Sequence, residues 1–338
     1  MATTVDTQPP AEAELLVPEE IQGRSLTAIA WGRFRRDKVG IIALGVLIFL
    51  LLAALLAPVI TNLMGLDPNY NYPGVLDKEN AGVPLGCGLP DSGFFCGISW
   101  QHPFGVEPGT GRDLFSMLLY GMRISLLIAF ASTALTTTLG TLFGIVSGYL
   151  GGRVDSIIGR LIDLILAFPF LLIVLALSGV LTQRLTAMGV PDGNPSRITY
   201  LILVFSVFGW PYLARIVRGQ VLSVREREFV EASIAMGSGT RRILFKEILP
   251  NLWAPIMIYA TLTLPTYIAT EAVLSYLGVG VLPPTATFGS MLSDSVQYMS
   301  VIPSYLLIPG TLLAVLVVSF NLVGDSVRDA LDPRAGRS

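Results

Sequence analysis

Six stretches of this chain run on with little or no charge, each long enough, or nearly so, for one helical crossing of a bilayer. A helix rises 1.5 Å per residue, so about 20 apolar residues carry it through roughly 30 Å of hydrocarbon. The stretches are 39–60, 124–152, 157–181, 198–214, 252–276 and 301–324. The third carries Arg160 and Asp163 in its first turns and Pro169 further in, where a bend is predicted; the fifth is interrupted by Glu271. Within hydrocarbon every backbone N–H and C=O must be paired inside its own segment, which restricts such a chain to helices. The expected fold is therefore all-α, a polytopic membrane protein with six transmembrane helices. Composition agrees: 14% of residues are charged, against about 25% in ordinary soluble domains, which argues against a soluble enzyme. Two cysteines exclude a disulfide-rich scaffold, and one histidine excludes a zinc site rich in Cys and His. A net charge of -2 forecasts nothing about nucleic acid, and none is expected as a partner.

The first stretch is too long and too far from the start to be a cleaved signal peptide. Residues 1–25, acidic and proline-bearing, are expected to be disordered. An amphipathic lead-in and the first span fill 26–61, a large loop 62–122, a five-helix core 123–324, and a short tail 325–338. Lys and Arg collect on alternate connections: Arg24, Arg33, Arg35, Arg36 and Lys38 before the first span, Arg153 and Arg160 after the second, seven between the fourth and fifth, and Arg328, Arg334 and Arg337 in the tail. Positive charge is retained on the cytoplasmic side, so both termini are predicted to face the cytoplasm. Loop 62–122 then lies outside with Cys87 and Cys96. An oxidising exterior permits a disulfide closing a small loop, worth about 2 to 3 kcal/mol by loop entropy; two free thiols, or a metal site with His102, are the other options. His102 reads more simply as a loop residue. Residues 113–120 have the mixed character of an interfacial helix lying on the outer leaflet.

About 35 residues separate the fourth and fifth spans on the inner side. They read as two short amphipathic helices divided at Gly237-Ser238-Gly239, where Gly237 or Gly239 adopts positive φ, Thr240 caps the second helix and Pro250 ends it. The stretch 231–250 resembles the EAA loop of the membrane subunits of ABC importers: EAA, three residues, G, nine residues, I, one residue, LP. Glu231, Ala232, Gly237, Leu249 and Pro250 match in register. Ser233 replaces the second alanine, and Glu247 stands at the I position, where the peptide branch often has histidine. Further segments resemble that branch: HPFGVEPGTGRDLFSMLLYGMRISL at 102–126, GYLGG at 148–152, DLILAFP at 163–169, LSYLGVG at 274–280 and GDSVRDALDPR at 324–334. The chain is similar to C-type permease subunits of dipeptide and oligopeptide ABC importers over about 31–334.

The resemblance implies a type I importer permease in the cytoplasmic (inner) membrane of a bacterium or archaeon. It implies a homologous B-type permease subunit beside it, two ATP-binding subunits beneath it and an extracytoplasmic substrate-binding protein above it, the connection 278–300 being the expected contact. The coupling residues it implies are Glu231 with Arg225 or Arg227 for polar docking, Ala232 and Met236 for close apolar contact, and Gly237 and Pro250 for shape, with Ser233 and Leu249 of the same motif. ATP and Mg are expected on the partners, since no glycine-rich loop here carries the GK[ST] that cradles phosphate, and the chain is not expected to be an enzyme. The two acids within spans are costly unless satisfied. Arg160 and Asp163 are expected to pair on one helical face, while Glu271 lines a cavity, or meets water or a neighbouring helix. A proton-coupled secondary transporter or channel, using Asp163 and Glu271 as a relay, is the competing reading; it leaves the inner loop unexplained. An intramembrane hydrolase has no GxSxG or HExxH to support it.

Overall fold

The computed structural model describes residues 26–79, 82–87 and 95–331. The expected disordered segment 1–25 and residues 332–338 of the tail, with Arg334 and Arg337, lie outside them. The chain opens with α1 (Leu26–Phe34), α2 (Lys38–Leu55) and α3 (Ala57–Met64). A loop with the two-residue strands β1 (Leu76–Asp77) and β2 (Val83–Pro84), paired antiparallel, leads to α4 (Leu114–Leu150). Then follow α5 (Gly152–Ala167), α6 (Phe170–Ala187), α7 (Asn194–Val224), α8 (Glu228–Ala235), α9 (Thr240–Arg242), α10 (Trp253–Tyr276), α11 (Phe288–Ser295) and α12 (Pro303–Leu331). Among the described residues, six helical runs are long and apolar enough to cross a membrane: α2, α4, α6, α7, the run Thr240–Tyr276, and α12.

Two boundaries differ from expectation. Residues 113–120 are not an interfacial helix but the first turns of α4. Asp113 caps that helix by accepting from the Ser116 N–H at 2.7 Å, and Leu114, Met117 and Leu118 are buried in the bundle. Pro169 breaks the third stretch rather than bending it. Phe168 is extended, at φ -83° and ψ 133°, as a residue before proline tends to be. The third span is therefore α6, and α5 is a separate helix that carries Arg160 and Asp163.

The tightest helix pair is α4 with α7. Gly140, Gly144 and Gly148 recur every four residues on α4 and lie against Leu213, Val217 and Val221, at the same spacing on α7. Between helices in lipid the hydrophobic drive is weak, and close backbone approach over small residues takes its place. At one end of the bundle Ser326 near the end of α12 donates to Asp37, the N-cap of α2, at 2.5 Å. At the other end Cys87 and Cys96 are bonded, with Cα atoms 5.5 Å apart. His102 is buried in the same loop, its Nδ1 2.9 Å from Asp113 Oδ1. The first is the elbow end, which holds α8, and the second the cystine end.

Candidate functional site

Two features stand out: a helical elbow between α7 and α10, and a cavity above it. After α7 ends, Arg227 turns extended and α8 begins. Glu228 and Glu231 sit in its first turn, where a carboxylate is favoured by the unpaired N–H groups. Val230 and Ser233 point inward and are buried, while Glu231, Ala232, Ile234 and Met236 are exposed, Met236 to 76%. Val230 packs in one cluster with Val221, Val224, Ile243, Ile248 and Leu252, so α8 is rooted in the ends of α7 and α10.

Gly237 takes φ +76° and reverses the chain, with Gly237 N–H donating to Ile234 O and Ser238 N–H to Ser233 O. That is the glycine stop of a helix C-terminus. Gly239 stays at negative φ and occupies the N-cap of α9, so Thr240 is the first helical residue rather than the cap. Nor does Pro250 end the second helix. It sits near the start of a 3-10 turn, Leu249–Leu252, which follows a π turn, Ile243–Ile248, and runs directly into α10. Proline in a first turn sacrifices an N–H that had no helical partner, so the run continues to Tyr276. Leu249 packs half-buried against the root cluster.

The two departures from the EAA pattern meet: Ser233 Oγ donates to Glu247 Oε1 at 3.3 Å, tying α8 to the π turn. Arg225 does not reach outward with Arg227 and Glu231. Its Nη1 donates to Gly148 O at the end of α4, at 3.3 Å. Close by, Arg218 of α7 grips Asp155 of α5 through two hydrogen bonds of 2.5 and 2.6 Å, and Ser147 of α4 donates to the same carboxylate. The Arg218 guanidinium, helped by Ser147, holds the Asp155 carboxyl down to about 2. The elbow thus hangs from three helices pinned together.

The cavity, about 690 Å³, lies between the α5–α6 junction, α7 and α10. Phe168, Phe205, Phe208, Tyr212, Tyr259 and Tyr267 give it aromatic walls, Thr263, Thr266 and Thr270 a line of hydroxyls, and Arg215 a charge toward the elbow end. Tyr259, Thr263, Thr266, Tyr267 and Thr270 are spaced by three and four, one face of one helix, a periodicity present in the fifth stretch of the sequence. Asp163 departs from expectation, while Glu271 takes the alternative of meeting a neighbouring helix. Asp163 pairs with Arg215 of α7 at 2.5 Å, not with Arg160, which is exposed on α5. Glu271 does not line the cavity: it is wholly buried, accepting from Ser125 Oγ of α4 at 2.6 Å and Ser275 Oγ at 2.7 Å. With one acid exposed and paired and the other enclosed by hydroxyls, no relay connects them.

Ser275 Oγ also accepts the Val281 N–H, so Glu271 organises the connection after α10 as well. Replacing it with alanine strands two hydroxyls, each costing about 1 to 3 kcal/mol. Glu271→Ala is expected to destabilise the protein by about 3 kcal/mol, and Glu271→Gln by less than half of that. Thermal unfolding in detergent tests this; equal effects from both variants would contradict the carboxylate's role as a shared acceptor.

A family model described as binding-protein-dependent transport system inner membrane component matches residues 140–337, and one for the N-terminal TM domain of oligopeptide transport permease C matches 25–77. The oligopeptide transport system permease protein OppC of Bacillus subtilis is 36% identical over 96% of this chain and 96% of its own. The dipeptide transport system permease protein DppC of Alkalihalophilus pseudofirmus is 34% identical over 90% of this chain and 89% of its own. Among solved structures, a chain of the MetNI methionine ABC transporter in an inward-facing conformation superposes with a TM-score of 0.50 at 21% identity, covering 64% of this chain and 96% of that one, a likeness of fold.

Proposed function

This chain belongs to the family of binding-protein-dependent transport system inner membrane components, and from that premise we propose that it forms one membrane half of an ATP-driven peptide importer. It is a multi-pass membrane permease subunit. A homologous second permease faces the cavity, two ATP-binding subunits supply the energy from the cytoplasmic side, and a substrate-binding protein delivers cargo at the cystine end. The elbow carries the reading. Its outward face, with Glu231, Ala232, Ile234 and Met236, is exposed while its inward face is anchored to two spans. A helix rooted in this way transmits a displacement of an ATPase to α7 and α10 as a rigid body, where a loose loop would absorb it. The cavity between those helices is this chain's half of the cargo path.

Because Cys87 and Cys96 are joined and the chain has no other cysteine, a thiol placed at Met236 is the one free thiol in it. Met236→Cys is expected to form a short cross-link to an ATP-binding subunit in the assembled complex, in a yield that changes when ATP binds. Cross-links only to the second permease, or none to an ATPase in an active complex, would refute the assignment.

A further inference from the structure

The ion pair at the elbow end of the cavity differs from the other charged contacts of the bundle. Arg112 grips Glu107 through Nε and Nη2 with both side chains buried. Arg218 grips Asp155 through two donors braced by Ser147. Arg215, by contrast, reaches Asp163 through Nη2 alone, in a pair whose side chains are 53% and 70% exposed. A pair held through a single donor, with both side chains open to water, contributes little to stability. A guanidinium has five N–H donors in a fork suited to a carboxylate, so most of this one's capacity is uncommitted among the described residues.

The remaining wall has little to offer an anion. Arg215 is the one charged residue among those lining the cavity. The hydroxyls of Thr263 and Thr270 donate back to carbonyls of their own helix, and those of Tyr259 and Tyr267 donate to Gly209 O and Phe205 O. An anionic group entering the cavity therefore finds one cationic donor, held in place by a carboxylate that it can replace.

We infer that Arg215 is the anion contact of the cargo path, and that it exchanges Asp163 for a carboxylate carried by the cargo, such as the C-terminal carboxylate of a peptide. This rests on reading the cavity as this chain's half of the path. Asp163 acts as a resident competitor that keeps Arg215 oriented when the cavity is empty and regains it when cargo leaves. Arg215 is then a specificity-determining residue, favouring free peptide acids over their amides.

The two partners make the inference separable from a merely structural ion pair. Breaking a structural pair from either side has the same consequence, whereas removing a binding group and removing its competitor have opposite ones. The assay is equilibrium binding of tritiated trialanine, and of its C-terminal amide, to the complete membrane complex without receptor or nucleotide. Arg215→Gln is expected to weaken trialanine binding about tenfold, the loss of one charge-assisted contact, with Arg215→Lys intermediate. Asp163→Asn is expected to strengthen it severalfold, and the amide to be indifferent to all three variants. The inference is overturned if Arg215→Gln and Asp163→Asn shift affinity in the same direction, if acid and amide respond alike, or if the unmutated complex binds no trialanine saturably at millimolar concentration. The cavity reading fails separately, through a different measurement: a bulky maleimide on Thr266→Cys should block uptake of any cargo, and unaltered uptake would mean that the path lies elsewhere.

Discussion

Replacing Gly144 with leucine is expected to leave almost no folded protein in the membrane. A Cβ at this position would lie 2.7 Å from Val217 Cβ and 2.8 Å from the Ala214 carbonyl oxygen, and the second of these is backbone of α7 that no rotamer change can move. Gly140 and Gly148 meet the same helix as closely, with Leu213 Cβ and Val221 Cβ 2.7 and 2.8 Å from the added atom. The two helices would have to separate along their whole contact. Overpacking a few methylenes usually costs about 1 to 3 kcal/mol; here the loss of the pairing itself is added, and an effect above about 3 kcal/mol is expected. Gly219→Ala on α7 is the matched control. Nothing lies within 4 Å of its added Cβ, and the change is expected to stabilise slightly through helix propensity, by up to about 1 kcal/mol. Membrane accumulation and detergent melting temperature of both variants test the argument; a well-folded Gly144→Leu would refute the close pairing of α4 with α7.

The second large effect falls on coupling rather than folding. Gly237→Asp is expected to insert and accumulate normally yet lower uptake more than about tenfold, with ATP hydrolysis persisting in the assembled complex. No atom lies within 4 Å of an added Cβ at Gly237, so the fold has room for the side chain. The backbone does not favour it: at φ +76° a residue with a Cβ costs about 1 to 2 kcal/mol, asparagine and aspartate least. What aspartate adds is a charge beside Met236, on the exposed rim of the elbow. Gly237→Asn, equally able to hold the turn and uncharged, is therefore expected to retain most of the uptake. Normal transport by a well-expressed Gly237→Asp, or an equal loss in both variants, would remove the proposed contact at this turn.

The elbow was legible in the sequence to an unusual degree because its shape depends on a local rule. A helix stop that needs positive φ selects glycine wherever the rest of the chain is, and Gly237 fills that role as the spacing implied. Distinguishing it from Gly239, or seeing that Pro250 lies within a continuing helix, required the neighbours. Ser233 and Glu247 illustrate the limit. Each is a departure from a pattern when read singly, and only the fold brings them within 3.3 Å of one another.

The acids were the least legible part. Arg160 and Asp163 have the spacing of an intrahelical pair, a bond worth a few tenths of a kcal/mol, and so weak a preference gives way to any cation that packing brings nearer. Arg215 is that cation, 52 residues away. Glu271 meets Ser125 at a separation of 146 residues, beyond the reach of any local spacing.

What the sequence determined by itself is the number of crossings and the material of the fold, because a charge-free run of sufficient length has one low-cost solution in lipid, a helix that pairs its own backbone. It also determined that a glycine turn falls within 237–239, since that rests on the steric limits of a single residue. What only the tertiary structure decided is which charges pair, which face of α10 lines a cavity, and what each proline does. Pro169 ends a helix while Pro211, Pro265 and Pro309 lie inside α7, α10 and α12. The cost of one lost backbone hydrogen bond is similar in all four cases, so the outcome depends on whether surrounding helices hold the chain straight through it, and that information lies in contacts between distant residues.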